Sequence, residues 1–248
     1  MLPLFCKMTK ESRIKIVDNI KNNIIDMFGN DILSICVYGS TLSEDFCDSS
    51  DIDMILVFDK ELSLSSLGCL EKIKKEYQGM GYSLDLSPHT KKEMIGERKN
   101  LFWHNNRGVY IQKEMELYGQ IVHGESFFDS TFYSRDDLKN ECIKVIHSLK
   151  YNARKILLQE PLSFQQKKNI IKFCLYSVGY ALAFMDIYPE KRALLFSKFD
   201  EIFNLNVKAV DLLQIKMNNY NIDDNEIIAT AYDFLCEIEN KILLINNK

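Results

Sequence analysis

Apolar side chains recur every three or four positions from residue 10 to residue 28: Ile14, Ile16, Val17, Ile20, Ile24, Ile25 and Phe28. That spacing predicts an amphipathic helix, with Thr9 placed to cap its start and Gly29 just past its end. Residues 32–38 are short, apolar and rich in β-formers, which predicts a buried strand stopped by Gly39-Ser40. A polar stretch follows over 41–50, and residues 52–58 predict a second strand. Residues 65–78 carry Leu67, Leu70 and Ile73 on one side of a helix, which Gly79 and Gly81 break. Residues 82–87 alternate apolar and polar positions, as a half-buried third strand does, and Pro88 is expected to end it. Residues 90–118 are mixed, helix plus loop, and Ile121-Val122 suits a short edge strand before His123-Gly124.

Beyond about residue 128 strand patterns vanish. Ser134-x-x-Asp137 reads as a capping box opening a helix to about residue 159, stopped by Pro161. Ser163-x-x-Gln166 opens another through residue 188, before Pro189. Shorter helices are expected over 193–203 and 209–217, and Asp223-x-x-Glu226 opens a last one to about residue 244. No repeat or low-complexity linker is present. The expected organisation is an α/β unit over 1–128 followed by an all-α helical bundle over 129–248.

Composition adds bounds. A chain of 248 residues, 46% hydrophobic and 27% charged, has the apolar content for a sizeable core. The formal charge of -4 leaves no broad basic surface to grip a nucleic-acid backbone, which argues against a nucleic-acid partner. The seven cysteines are odd in number, lack C-x-x-C spacing and mostly lie in apolar runs, as reduced thiols of a cytoplasmic protein do. No apolar stretch is long enough to span a bilayer, and the opening Met1-Leu2-Pro3-Leu4-Phe5 is too short for a signal peptide, so no membrane partner is expected.

The candidate chemistry lies at Gly39-Ser40 and Asp51-Ile52-Asp53. Side chains alternate along a strand, so Asp51 and Asp53 share a face. Two adjacent carboxylates repel unless a positive group lies between them, and oxygen-only ligands favour Mg2+ or Mn2+. Gly39, lacking a Cβ, lets a phosphate approach the backbone, and Ser40 adds a hydroxyl and an N–H. One segment offers phosphate donors, the other metal-binding carboxylates.

This arrangement resembles the signature of the DNA polymerase beta-type nucleotidyltransferase superfamily. The resemblance implies that Gly39 and Ser40 contact a triphosphate, that Asp51 and Asp53 bind metal, and that a third carboxylate on a later strand completes the site. Asp85 is its match, on the alternating third strand. A nucleotidyltransferase domain with a short mixed β-sheet followed by a helical bundle is similar to the aminoglycoside nucleotidyltransferases. The stretch Glu116-Leu117-Tyr118-Gly119 and His123–Asp129 loosely resembles the domain junction of the streptomycin-type enzymes. The implied reaction moves a nucleoside monophosphate, AMP from ATP as the leading case, onto a hydroxyl of a small-molecule acceptor. Asp85 serves as base or as ligand to a second metal. Lys150 and Arg154, four apart on one helix face, are candidate triphosphate cations beside Lys155. Asp136, Asp137 and Glu141 are candidate partners for a cationic acceptor.

Other residues read more plainly. His89, His104, His123 and His147 lack metal-site spacing, which argues against zinc. His89 reads as a loop residue. Phe102, Trp103 and Tyr110 suit core packing better than nucleobase stacking. Cys174, Leu175, Val178, Leu182 and Met185 read as bundle core, and Cys47 has no neighbour to activate it. Two alternatives stay open. The acceptor is a protein or RNA end, as in toxin–antitoxin members of the superfamily, or the fold persists in a non-catalytic regulatory partner.

Overall fold

The computed structural model describes residues 9–43, 46, 50–95, 108–128, 134–159, 161–191 and 194–246. The chain divides into two compact units, Met1–Ser130 and Thr131–Lys248. In the first, helix α1 spans Lys10–Phe28. Thr9 caps it, its hydroxyl accepting from the Ser12 N–H at 3.2 Å. Gly29 ends it at φ 54°, a left-handed-side conformation that glycine adopts without a Cβ clash. Val17, Ile20 and Ile24 are buried, whereas Ile14, on the expected apolar stripe, is exposed.

The remaining elements of this unit are β1 (Ile32–Tyr38), β2 (Asp51–Phe58), α2 (Leu64–Gly79), β3 (Ser83–Thr90), α3 (Lys91–Ile95), α4 (Gly108–Tyr118) and β4 (Gln120–Gly124). The four strands form one mixed sheet in the order β3-β2-β1-β4. β2 and β3 are parallel, joined through α2, and β1 is antiparallel to both β2 and β4. One face of the sheet is covered by α1 and α2, whose Val17, Ile20, Ile24, Leu70, Ile73 and Tyr77 join Ile35, Val37, Ile52, Met54, Leu56, Leu84 and Leu86 in a core. Ile32 joins the same core although it is three residues from Ile35. A β-bulge between Ile32 and Ser34 inserts the extra residue and resets the alternation.

Pro88 does not end β3, as the sequence suggested; the strand runs two residues further, with Pro88 opposite Leu56 and His89 opposite Val57. β3 is an edge strand. A proline is tolerated there because the outer side of the strand has no ladder bond to lose. His89 is thus a buried strand residue rather than a loop one. Burial pushes its pKa down to about 4, against a smaller opposing pull from the Glu93 carboxylate. The folded chain keeps this imidazole neutral, while the unfolded chain protonates it near its ordinary pKa of about 6.5. The unfolded state therefore binds more protons between about pH 6.5 and pH 4, and stability falls as the pH drops through that window. Urea titrations across it should show that decline, and His89→Gln should flatten the His89 part of it. An unchanged slope would contradict the burial argument.

The segment 90–118, mixed in sequence, contains α3 and α4; Phe102 and Trp103 lie outside the described residues, while Tyr110 is buried. β4 is the expected edge strand, longer than Ile121-Val122 alone.

The second unit contains α5 (Arg135–Leu157), α6 (Phe164–Phe184), α7 (Leu195–Phe203), α8 (Ala209–Met217) and α9 (Asp224–Asn246), and no strand among the described residues. Ser134 and Asp137 form the expected capping box of α5, and Ser163 and Gln166 that of α6. Ser134→Ala should cost about 1 kcal/mol by removing a helix cap. Chemical denaturation measures this, and a neutral result would mean the box contributes nothing to stability.

α6 stops four residues before the expected position. Asp186 turns left-handed at φ 60°, and the N–H groups of Asp186 and Ile187 donate to Ala183 and Leu182 at 2.9 Å each. That is a Schellman closure, so the helix ends by its own backbone bonds before Pro189 is reached. Met185, expected in the core, is the cap residue. Cys174, Val178 and Leu182 are fully buried, with Ala231, Phe234 and Ile238 of α9. Phe199 stacks on Phe203 at 4.6 Å between ring centroids. Among the described residues, Cys36, Cys69, Cys142, Cys174 and Cys236 form no disulfide, and burial pushes the thiols of Cys36, Cys142 and Cys174 up, out of nucleophilic range. No helix is long and apolar enough to cross a membrane among the described residues.

Candidate active site

The acids lie at one end of the sheet, on the face away from α1 and α2. On β2, Ile52, Met54 and Leu56 point into the core, so Asp51 and Asp53 point the opposite way. The parallel register sets Asp53 directly opposite Asp85 and Asp51 opposite Ser83. Residues opposite one another on neighbouring strands share a face, about 4.8 Å apart. Asp51, Asp53 and Asp85 therefore stand on one surface, with Asp85 exposed and the other two half-buried. Further along the same face Ile55 and Val57 are buried, so the acids occupy only the solvent-facing end.

The antiparallel register of β1 and β2 pairs Tyr38 with Asp53, which delivers Gly39 and Ser40 to the acids. They open a 3-10 turn, Gly39–Leu42. Gly39 has φ 70°, and a Cβ placed on it would lie 2.7 Å from Oδ2 of Asp53. Glycine is required there twice over, by backbone conformation and by the carboxylate against it. Thr41 ties the turn to the acid strand. Its Oγ1 donates to the Asp51 carbonyl and accepts from the Asp53 N–H, at 3.4 Å each.

Arg13 joins the site although no motif includes it. It lies on α1 and is 8% exposed, and its Nη1 donates to the carbonyls of Ser40 at 3.5 Å, Thr41 at 3.2 Å and Ser43 at 3.0 Å. Its guanidinium also lies 4.5 Å from the centre of the Phe46 ring. A signal was present. The buried stripe Ile24, Ile20 and Val17, continued back by one helical turn, reaches Arg13, where an apolar residue would be expected. Thr41 carried no comparable mark.

The structure thus brings together Gly39, Ser40, Asp51, Asp53 and Asp85. Lys150 and Arg154 belong to the other unit and have partners there. Lys150 pairs with Glu239, which also binds His147 Nδ1 at 2.7 Å, and Arg154 donates to the Tyr232 hydroxyl from Nη2 at 2.9 Å. Of the acids suggested for an acceptor, Asp137 is committed to its capping box, and Asp136 is exposed.

Among the described residues no three His, Cys, Asp or Glu side chains already surround a common metal position. The donor set nevertheless suits Mg2+ or Mn2+. Mg2+ commonly takes one or two carboxylates and completes its shell with water and substrate phosphates rather than with an all-protein cage. Asp51 and Asp53 supply such a pair, beside a turn that glycine keeps open.

The nucleotidyltransferase domain family matches residues 17–110, which include Gly39, Ser40 and all three acids. Two curated relatives, aminoglycoside nucleotidyltransferases (4') from Staphylococcus aureus and from a Bacillus species, are each 44% identical over 54 residues. That match spans 22% of this chain and 21% of either relative, so the chain covers about a fifth of their length. The fold resembles the crystal structure of spectinomycin adenyltransferase AAD(9) from Enterococcus faecialis with ATP and spectinomycin. The TM-score is 0.58 at 14% identity, covering 94% of this chain and 99% of that one. At that identity the likeness concerns the fold: a mixed four-stranded sheet with an N-terminal helix, then a helical region. Sheet, glycine turn and family match together make residues 17–110 a nucleotidyltransferase domain of the DNA polymerase beta type.

Proposed function

We propose that this protein is a metal-dependent nucleotidyltransferase that moves a nucleoside monophosphate, AMP from ATP in the leading case, onto a hydroxyl of a small polar acceptor such as an aminoglycoside. One observation carries the reading: a glycine turn set against one carboxylate of a strand pair, with a third carboxylate in register on the next strand. Gly39 and Ser40 hold the triphosphate, and Asp51 and Asp53 hold Mg2+ or Mn2+. The bound cation supplies charge neutralisation on the phosphates. Asp85 takes the proton of the attacking hydroxyl or completes the metal ligands. The acceptor oxygen forms its bond to the α-phosphorus, the bond from that phosphorus to the bridging oxygen breaks, and pyrophosphate leaves. The acceptor class rests on the relatives: an aminoglycoside enzyme by sequence over a short segment, and a spectinomycin enzyme by fold. Exposed carboxylate around the site suits a cationic acceptor.

The test is pyrophosphate release with Mg2+ or Mn2+, each nucleoside triphosphate in turn, and a panel of aminoglycosides including spectinomycin. Release that needs both nucleotide and acceptor is the expected result. Nucleotide binding with no release against any acceptor would remove the aminoglycoside assignment. Absence of metal-dependent triphosphate binding as well would overturn the enzyme reading.

A further inference from the structure

We infer that Arg13 is a positioning residue for triphosphate binding. It acts through the backbone of the Gly39–Leu42 turn and not by touching phosphate. The inference rests on the functional reading above and deepens it.

A guanidinium is always charged and costly to bury without partners, so an arginine on the buried stripe of α1 has to be explained by what it meets. It meets the carbonyls of Ser40, Thr41 and Ser43, which belong to a segment outside the strand ladder. Carbonyls without ladder partners need donors, and Arg13 Nη1 reaches three of them, the Thr41 contact buried and the Ser40 and Ser43 contacts part-buried. From within, the Ser40 carbonyl also accepts from the Ser43 N–H at 3.1 Å and from Ser43 Oγ at 3.3 Å. The turn is thus held on two sides, by Arg13 at its carbonyls and by Thr41 Oγ1 at the backbone of Asp51 and Asp53.

Position matters here because clearance is small. Gly39 lies so close to Asp53 Oδ2 that a single added methyl would collide with it. A shift of the turn by a few tenths of an ångström therefore changes both the phosphate approach at Gly39 and the setting of a metal-binding carboxylate. Arg13 itself is 8% exposed and faces carbonyl oxygens, so its charge is directed at the turn's backbone. The role is to fix where the phosphate donors sit.

The test compares wild type, Arg13→Lys and Arg13→Met in the full-length protein. Circular dichroism and thermal unfolding establish that each variant is folded. Binding of Mg2+–ATP is read by calorimetry, and KM for ATP and kcat by pyrophosphate release. Arg13→Met is expected to weaken ATP binding and raise its KM by roughly 10- to 100-fold, the scale of a sub-ångström to 1 Å misplacement. KM for the acceptor should stay within about twofold, since the acceptor does not bind through the turn. Arg13→Lys keeps a donor in the same position and should recover most of the ATP affinity. A residue that merely supports the fold would lower Tm and the active fraction and leave KM for ATP unmoved; that result overturns the inference. Should Arg13→Met fail to fold, Arg13→Gln, which removes the charge and shortens the reach while staying polar, decides: a several-fold weaker ATP affinity supports the inference and an unchanged one overturns it. Wild type that binds no Mg2+–ATP removes the functional reading and this inference together, whereas wild type that binds normally beside equally tight variants removes the inference alone.

Discussion

Asp53→Ala is expected to lower acceptor-dependent pyrophosphate release by about 10^2- to 10^3-fold or more. Asp53 occupies the middle of the acidic group. It follows Asp51 by two residues on β2, faces Asp85 across the parallel register, and sets its Oδ2 against Gly39. No other carboxylate of the group adjoins both the third acid and the phosphate turn. Losing a metal ligand at a reacting phosphate removes several kcal/mol of transition-state stabilisation, and each 1.4 kcal/mol is tenfold in rate. Stability should move the other way. Asp85 stands directly opposite, so the alanine variant relieves like-charge repulsion in metal-free buffer and its Tm should equal or exceed that of wild type. Loss of activity at undiminished Tm would separate chemistry from folding. A variant retaining more than a tenth of wild-type activity would rule Asp53 out as a metal ligand.

Gly39→Ala is expected to rank second. An alanine at φ 70° costs roughly 1–2 kcal/mol, and its Cβ at 2.7 Å from Asp53 Oδ2 forces that carboxylate aside. Metal-dependent ATP binding and turnover should both fall, by about 10^2-fold if the carboxylate shifts near 1 Å. If the loss runs through Asp53, the double variant Gly39→Ala/Asp53→Ala should be no less active than Asp53→Ala alone, a non-additivity expected of residues in contact. Strictly additive losses would place the effect of Gly39 elsewhere, in the phosphate approach alone.

Much of the first unit was legible in the chain. The helical periodicity over 10–28 and the β-rich runs over 32–38 and 52–58 lie where α1, β1 and β2 form, and the caps at Thr9, Ser134 and Ser163 are made. These features depend on neighbours within a few positions, which periodicity and hydrogen-bonding side chains encode directly. The same holds for Asp51 and Asp53 sharing a face, since strand alternation is local.

Other elements ran against the local signal. Pro88 reads as a strand end, yet β3 continues because its place at the sheet edge leaves a missing N–H without consequence. α6 was expected to reach Pro189, but Asp186 accepts a left-handed turn and closes it four residues earlier. The role of Arg13 is not legible locally, because nothing near it in the chain asks for a buried cation; its partners are 27 to 30 residues away.

The sequence by itself determined most of the elements outside residues 90–118, that a carboxylate pair follows a Gly-Ser turn, and that a helical half succeeds an α/β half. These are properties of spacing and of residues within a turn or two of one another. Only the tertiary structure decided that Asp85 stands opposite Asp53, that Gly39 has room for no methyl group, and that a buried arginine holds the turn between them. Strand register, clearance and buried-charge compensation are set by pairings between distant segments, and no local pattern carries the distance between two residues that meet only when the sheet closes.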